Sequence, residues 1–438
     1  MKPGSERTTT VHQLVERYGS PLYLYELDDV DRAAAQLHRS LPAPSALYYS
    51  LKANPHPVLA EALRTAGCRA EVSSPGELTA ALAAGFAPGD CLYTGPGKAS
   101  WEIAVALAQG VHRFSVESSA DYRKVARAAA AQDTTAHCLI RVNSPRLHGA
   151  SGLRMTGVAS PFGTDADLLI ATAGQFAPRL GARVIGTHFF PLSNGSDEET
   201  VTAEITASIV QAVRLRDRAG LELQEVDLGG GFAMPYAVPG TRPLYPRLRH
   251  RVEAALDAQL PGWRAGNPEV AFESGRYLVG GSGRLVCTVK DVKRSHDRTF
   301  VVLDSGIHHL GGMSGLGRLL PMSARVTPVP RGPGPAEETP MDRVTVVGPL
   351  CTPADQFSRD LPLGTPEPGD VVEIPNVGAY GPTASLLAFL SRPVAGELIL
   401  RTGNPVHASR LELRRTLLDD DDQESLPPSS PRSESDGV

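Results

Sequence analysis

Eight short apolar runs alternate with stretches of helical periodicity between residues 45 and 284. The strand-like runs are Leu47–Ser50, Ala70–Val72, Cys91–Tyr93, Arg113–Val116, His137–Val142, Val184–Phe189, Glu225–Leu228 and Glu269–Phe272. Helix-like stretches lie between them, among them Pro57–Ala66, Gly76–Ala84, Trp101–Gln109, Ala120–Ala131 and Ala203–Ala219. Regular strand–helix repeats of this number, without a reversal, favour an α/β fold of the closed (β/α)8 TIM-type barrel over an open doubly wound sheet.

The pattern changes after residue 284. Leu285–Val292, Thr299–Leu303, Val344–Val347 and Val371–Ile374 are short β runs separated by Gly/Pro turns, which predicts a C-terminal all-β domain over 285–415. Within the N-terminal segment 1–44, Leu22–Leu27 is also strand-like and is expected to join that domain. Pro328–Pro340 reads as a loop. Residues 416–438, with Asp419–Asp422 followed by a Pro/Ser-rich stretch, read as a disordered tail.

Composition narrows the function classes. A hydrophobic content of 41% and a charged content of 21% are those of a globular protein, and a net charge of -5 provides no basic field for nucleic acid. The five cysteines are odd in number and far apart, with no CxxC, which argues against a disulfide framework or a zinc site. The expectation is a cytoplasmic protein with no metal, no signal core and no membrane-spanning run.

The candidate chemistry lies where strands end, since barrels of this class carry their sites at the C-terminal ends of the strands. Only six of the 43 basic residues are lysines, and Lys52 is one of them, delivered by Tyr48-Tyr49-Ser50-Leu51 and followed by the break at Asn54-Pro55. A desolvated lysine can lose its proton and attack a carbonyl, which arginine cannot do. The seventh run ends in Asp227-Leu228-Gly229-Gly230-Gly231, whose glycines allow backbone N–H groups to turn toward an anion. The eighth ends in Glu273-Ser274-Gly275-Arg276, a carboxylate and a guanidinium side by side. Each segment alone reads equally as a turn or a structural ion pair. Their convergence on one rim fits pyridoxal 5′-phosphate, with Lys52 forming the Schiff base, the glycines and Arg276 holding the phosphate, and Glu273 pairing with the ring nitrogen.

These segments resemble the alanine-racemase-fold pyridoxal-phosphate decarboxylases, the family of diaminopimelate and eukaryotic-type ornithine decarboxylases. The resemblance runs from about Leu22 to about Leu400. It rests on Tyr49-Ser50-Leu51-Lys52-Ala53-Asn54, Val72-Ser73-Ser74-Pro75-Gly76-Glu77-Leu78, the triple glycine, Glu273-Ser274-Gly275-Arg276, Gly348-Pro349-Leu350-Cys351 and Gly378-Ala379-Tyr380-Gly381. It implies an α-decarboxylase acting in a biosynthetic pathway. It also implies that Tyr380 contacts the phosphate, and that Cys351 and Asp355 reach across a two-fold interface into a partner's site. Cys351 would return a proton after carbon dioxide leaves, and the active unit would be a homodimer.

Two departures bear on substrate. The family's His-x-Gly-Ser run becomes His188-Phe189-Phe190-Pro191-Leu192-Ser193 here. Phe190 takes the ring-stacking position and Ser193 that of the phosphate-contacting serine. His188 lies two residues earlier, on the same side by strand alternation, either supplying the imidazole or packing as a structural histidine. The second departure is Thr352, directly after Cys351, where relatives acting on diamino acids carry an acid for the distal ammonium. The Cys351-Thr352-Pro353-Ala354-Asp355 form, with Gly95-Pro96-Gly97-Lys98 and His308-His309-Leu310, is similar to the butirosin-type subgroup that decarboxylates glutamyl groups on acyl carrier proteins. A free or carrier-linked amino acid is therefore the expected substrate. Diaminopimelate remains the alternative if Asp304 or Asp355 holds the ammonium, and a catalytically dead, regulatory homologue is the reading from a different class.

Overall fold

The computed structural model describes residues 9–143, 153–154, 160–311, 323–330, 343–364 and 366–415. Eight parallel strands form a barrel, in chain order Ala46–Ser50, Arg69–Val72, Cys91–Tyr93, Arg113–Val116, Ala136–Asn143, Ala182–His188, Glu225–Asp227 and Glu269–Ser274. The eighth pairs back onto the first, Phe272 opposite Leu47 and Glu273 opposite Tyr48, which closes the sheet. The (β/α)8 expectation is met strand for strand. The long helix begins at Glu198 rather than Ala203 because the Asp197 side chain accepts from the Thr200 N–H and caps it. Ser74 and Ser118 cap the helices Pro75–Ala83 and Ser119–Ala130 in the same way.

Side-chain alternation sorts the barrel interior into layers. Tyr48, Leu92, Leu139, Ile185 and Ala271 form an apolar layer across five strands. Two residues further along four of these strands come Ser50, Thr94, Arg141 and Glu273, which share the inward direction because strand side chains repeat every two residues. The barrel is thus plugged by apolar packing below and lined by buried polar groups toward the C-terminal mouth.

The second sheet runs, from one edge, Gln356–Pro362, Arg343–Val347, Arg298–Leu303, Gly283–Ser295, Leu22–Glu26, Gly396–Arg401 and Asn404–Arg410, with Val371–Pro375 also paired to Gly283–Ser295. Leu22–Glu26 lies antiparallel to the long strand at Gly283–Ser295 and parallel to Gly396–Arg401, so the chain's first strand is central in the C-terminal sheet. The sequence-based reading did not single out Gln356–Pro362, Gly396–Arg401 or Asn404–Arg410. The first of these carries charges and ends in proline, as suits an edge strand. The tail 416–438 and most of the expected loop at 328–340 lie outside the described residues.

Two hydrogen bonds tie the sheet to the barrel mouth. Asn54 Nδ2 donates to the Gly378 carbonyl at 3.0 Å, and the Tyr380 N–H donates to the Ala53 carbonyl at 2.8 Å. A Cβ on Gly378 would come within 1.9 Å of the Val279 carbonyl oxygen, so only glycine permits this approach.

Candidate active site

Lys52 occupies a single 3-10 turn, Leu51–Ala53, between the end of the first barrel strand and the extended Asn54. Its Nζ lies 3.1 and 3.2 Å from the two carboxylate oxygens of Glu71, at the end of the second strand. The lysine side chain keeps 41% of its surface open to the cavity, whereas that of Glu71 keeps 2%. Thr94 Oγ1 donates to Glu71 Oε1 at 2.6 Å. Burial works against both charges. It is outweighed at Glu71 by the Lys52 ammonium and by hydroxyl donors, which push that carboxyl down to about 2. At Lys52, burial is outweighed by the Glu71 and Glu273 carboxylates, which hold the ammonium above the ordinary lysine range.

Around this pair lies a cavity of about 380 Å³ whose lining includes Lys98, Glu102, Arg141, His188, Phe190, Ser193, Glu273 and Tyr380. The Phe190 ring centroid is 5.5 Å from Lys52 Nζ, and Arg141, paired with Glu117 at 3.3 Å, lies 5.9 Å from the same ring. His188 is 1% exposed at the end of the sixth strand. Its Nδ1 is 2.7 Å from Ser115 Oγ and its Nε2 is 3.2 Å from Glu273 Oε1. With Nδ1 on Ser115 and Nε2 at ion-pair distance from Glu273, His188 lies buried beside that carboxylate, while Phe190 is the ring beside Lys52. Lys98 is buried against Asp121 at 2.7 Å and is not presented to a substrate as Lys52 is.

A narrow recess adjoins the cavity, lined by Ser193, Asn194, Gly231, Ser274, Gly275, Arg276 and Tyr380 among others. The Arg276 guanidinium lies 4.9 Å from the Tyr380 ring centroid. The glycines here allow backbone to approach backbone. A Cβ on Gly229 would meet the Phe189 carbonyl oxygen at 2.2 Å, one on Gly230 the Glu273 carbonyl oxygen at 1.9 Å, and one on Gly231 the Leu192 carbonyl oxygen at 2.6 Å. The triple glycine thus locks the sixth, seventh and eighth strand ends together and leaves the recess free of side chains. Ser274 Oγ is buried with no hydrogen-bond partner among the described residues. Hydroxyls, an arginine and glycine backbone around one recess suit a phosphate, and a lysine and a buried carboxylate in the adjoining cavity suit an aldehyde-bearing pyridine ring. Lys52, Glu273, Ser193, Gly231, Gly275, Arg276 and Tyr380 would hold that cofactor.

The family model described as the pyridoxal-dependent decarboxylase pyridoxal-binding domain matches residues 27–280. The chain belongs to the pyridoxal-dependent decarboxylases. This decarboxylase is 30% identical over 399 residues to the L-glutamyl-[BtrI acyl-carrier protein] decarboxylase of Niallia circulans, covering 89% of the chain and 91% of the relative. It is 27% identical to a 2-[(L-alanin-3-ylcarbamoyl)methyl]-2-hydroxybutanedioate decarboxylase of Staphylococcus aureus, covering 85% and 92%. The crystal structure of Helicobacter pylori diaminopimelate decarboxylase complexed with L-lysine superposes with a TM-score of 0.77 at 26% identity, covering 89% of this chain and 93% of that one. The decarboxylase is therefore a pyridoxal-phosphate-dependent carboxy-lyase with the fold expected from its sequence.

Four residues expected at the substrate lie outside both cavities of their own chain. Cys351 is exposed and Thr352 follows it in the same loop. Asp355 is buried, accepting from the Ile307 and Leu350 N–H groups at 2.8 and 2.7 Å, and so pins that loop. Asp304 accepts from Ser20 Oγ at 2.5 Å and from the Thr288 N–H at 3.0 Å, which commits it to the C-terminal sheet. Sequence reasoning missed Glu71, Arg141 and Ser115. Glu71 is a buried charge next to last in the short strand Arg69–Val72, and Arg141 is the one charged residue within His137–Val142, so both carried a signal. Ser115 carried none. Among the described residues no helix is long and apolar enough to cross a membrane.

Proposed function

We propose that this decarboxylase removes the α-carboxylate of an amino acid whose side chain ends in a neutral acyl group, a glutamyl thioester on an acyl carrier protein above all. The observation that carries this reading is the state of the carboxylates lining the cavity. Glu71 is held by Lys52, Glu273 is buried beside His188 and committed to the cofactor's ring nitrogen, and Glu102 accepts from the Ala99 N–H at 2.6 Å. Each is already engaged. An ammonium at the far end of a substrate would be desolvated without a counter-charge, an arrangement that costs several kcal/mol. A carbonyl there needs only a donor, and the Thr352 hydroxyl supplies one. The name of the Niallia relative describes a glutamyl group on an acyl-carrier protein, and that of the Staphylococcus relative a side-chain amine bound as an amide; neither carries a free distal ammonium.

Bound at the barrel mouth, pyridoxal phosphate supplies the electron sink for the pair released when the carboxylate bond breaks. Lys52 would anchor it, Ser193, Gly231, Gly275, Arg276 and Tyr380 would hold its phosphate, Phe190 would pack against its ring and Glu273 would pair with its ring nitrogen. A homodimer completes the site, with the partner subunit's Cys351 returning a proton to the substrate α-carbon and its Thr352 meeting the distal carbonyl. Exposure of Cys351 outside its own chain's cavities supports this arrangement. A cytoplasmic, biosynthetic setting agrees with five cysteines that all stand free.

The test is carbon dioxide release by purified protein with pyridoxal phosphate and a panel of free and carrier-loaded amino acids. Release from a glutamyl thioester and not from free diaminopimelate, lysine or ornithine is expected. The reverse preference would replace this reading with a diaminopimelate decarboxylase, and no release with a colourless protein would favour a non-catalytic homologue.

A further inference from the structure

Beside the cofactor cavity, a buried polar chain leads from Glu273 to groups that the chemistry above does not use. His188 ends the sixth strand and Asp227 the seventh, while Ser115 and Glu273 lie next to last in the fourth and eighth. Ser115, His188, Asp227 and Glu273 are each at most 1% exposed. Ser115 Oγ lies 2.7 Å from His188 Nδ1, and His188 Nε2 lies 3.2 Å from Glu273 Oε1. Nε2 and Oε1 stand at ion-pair distance without hydrogen-bond geometry, and neither has a hydrogen-bond partner among the described residues. Asp227 Oδ1 accepts from the Gly229 N–H at 2.8 Å. Ligand atoms of His188, Asp227 and Glu273 fall within 4.8 Å of one another.

We infer that His188, oriented by Ser115, is a positioning residue that in the holoenzyme donates to the nearer oxygen of Glu273 and holds this carboxylate toward the cofactor's ring nitrogen. Buried polar atoms take a partner where one is in reach, and the His188 imidazole is in reach of Glu273 Oε1 at 3.2 Å. A hydroxyl donating to Nδ1 fixes the tautomer with its proton on Nε2, directed at Glu273. A donor on a carboxylate oxygen favours the charged form over the protonated one. The proton shared between Glu273 and the ring nitrogen is thereby biased toward the ring, where it strengthens electron withdrawal. Asp227 does not compete for this role. Burial and the neighbouring Glu273 charge push its carboxyl well above the usual range, and its Oδ1 is already taken by the Gly229 N–H. The inference rests on the assignment of Glu273 to the ring nitrogen and is independent of which substrate the enzyme takes.

The test uses holoenzyme loaded with cofactor isotope-labelled at the pyridine nitrogen, read by nuclear magnetic resonance. In wild type the nitrogen should resonate as protonated. His188→Leu should move it toward the neutral position and lower kcat about ten- to hundredfold with little change in KM. His188→Gln, which can still donate to Glu273, should restore most of both. Ser115→Ala, which removes only the hydroxyl, should move the resonance in the same direction by less, and it decides the matter if His188→Leu fails to fold. Glu273→Gln is the control. If it moves the resonance and neither His188→Leu nor Ser115→Ala does, the inference is overturned. Equal losses in His188→Gln and His188→Leu would also overturn it. If Glu273→Gln leaves the resonance in place, the assignment of Glu273 falls and the inference falls with it.

Discussion

The Lys52 ammonium and the Glu71 carboxylate face each other at 3.1 Å across the ends of the first two barrel strands, so the nucleophile is held charged until the cofactor arrives. Only a neutral amine attacks an aldehyde. Glu71→Gln should therefore lower the Lys52 pKa and speed capture of pyridoxal phosphate by cofactor-free protein at neutral pH. Each unit by which the lysine falls raises its neutral fraction about tenfold. Stopped-flow absorbance across pH measures this, and an unchanged pH profile would show that Glu71 does not control the amine.

The same pair predicts an acid limit. Glu71 is pushed down to about 2 from an ordinary value of 4.5, so the folded state binds this proton less readily than the unfolded one. Its contribution to stability is present above pH 4.5 and is lost as pH falls toward 2. Melting temperatures of cofactor-free wild type should fall more steeply over this window than those of Glu71→Gln. Parallel curves would contradict the assignment.

Borohydride reduction of the holoenzyme should fix the cofactor on Lys52, as mapped by peptide mass spectrometry, and Lys52→Ala should lose visible absorbance and activity together. Lys98, buried against Asp121, should carry no label. A label there would relocate the site.

Composite sites predict subunit complementation. Inactive Lys52→Ala and inactive Cys351→Ala proteins, mixed and allowed to exchange, should recover about a quarter of wild-type activity. Half of a random mixture is hybrid, and each hybrid dimer has one of its two sites intact. No recovery after verified exchange would place each site within one chain.

The fold was legible because its signals are local. Eight strands and their helices follow from apolar periodicity, and serine caps sharpen their ends. Lys52, Glu273 and Arg276 stood out as polar residues placed where apolar strands stop. The pairings among them were not legible. That Glu71 rather than Glu273 holds Lys52, or that His188 turns toward Ser115 and Glu273, depends on barrel closure between strands distant in sequence. Arg247, Arg249 and Arg251 resemble a docking stripe in sequence, yet Arg247 and Arg251 pair with Glu199, and Arg249 with Glu253. They join the helix Leu248–Gln259 internally and to the helix Glu198–Ala219, which makes them a packing seam. Reversing these charges should lower the melting temperature and leave KM for a carrier-bound substrate unchanged.

The most direct measurement of the central claim is the ratio of kcat/KM for a glutamyl thioester to that for free diaminopimelate, in the wild type and in Thr352→Glu. Wild type should favour the thioester by more than about a hundredfold, since an unpaired ammonium costs several kcal/mol when desolvated. Thr352→Glu should weaken the thioester and raise diaminopimelate turnover, closing the gap. Efficient turnover of free diaminopimelate by the unmodified protein would contradict the account.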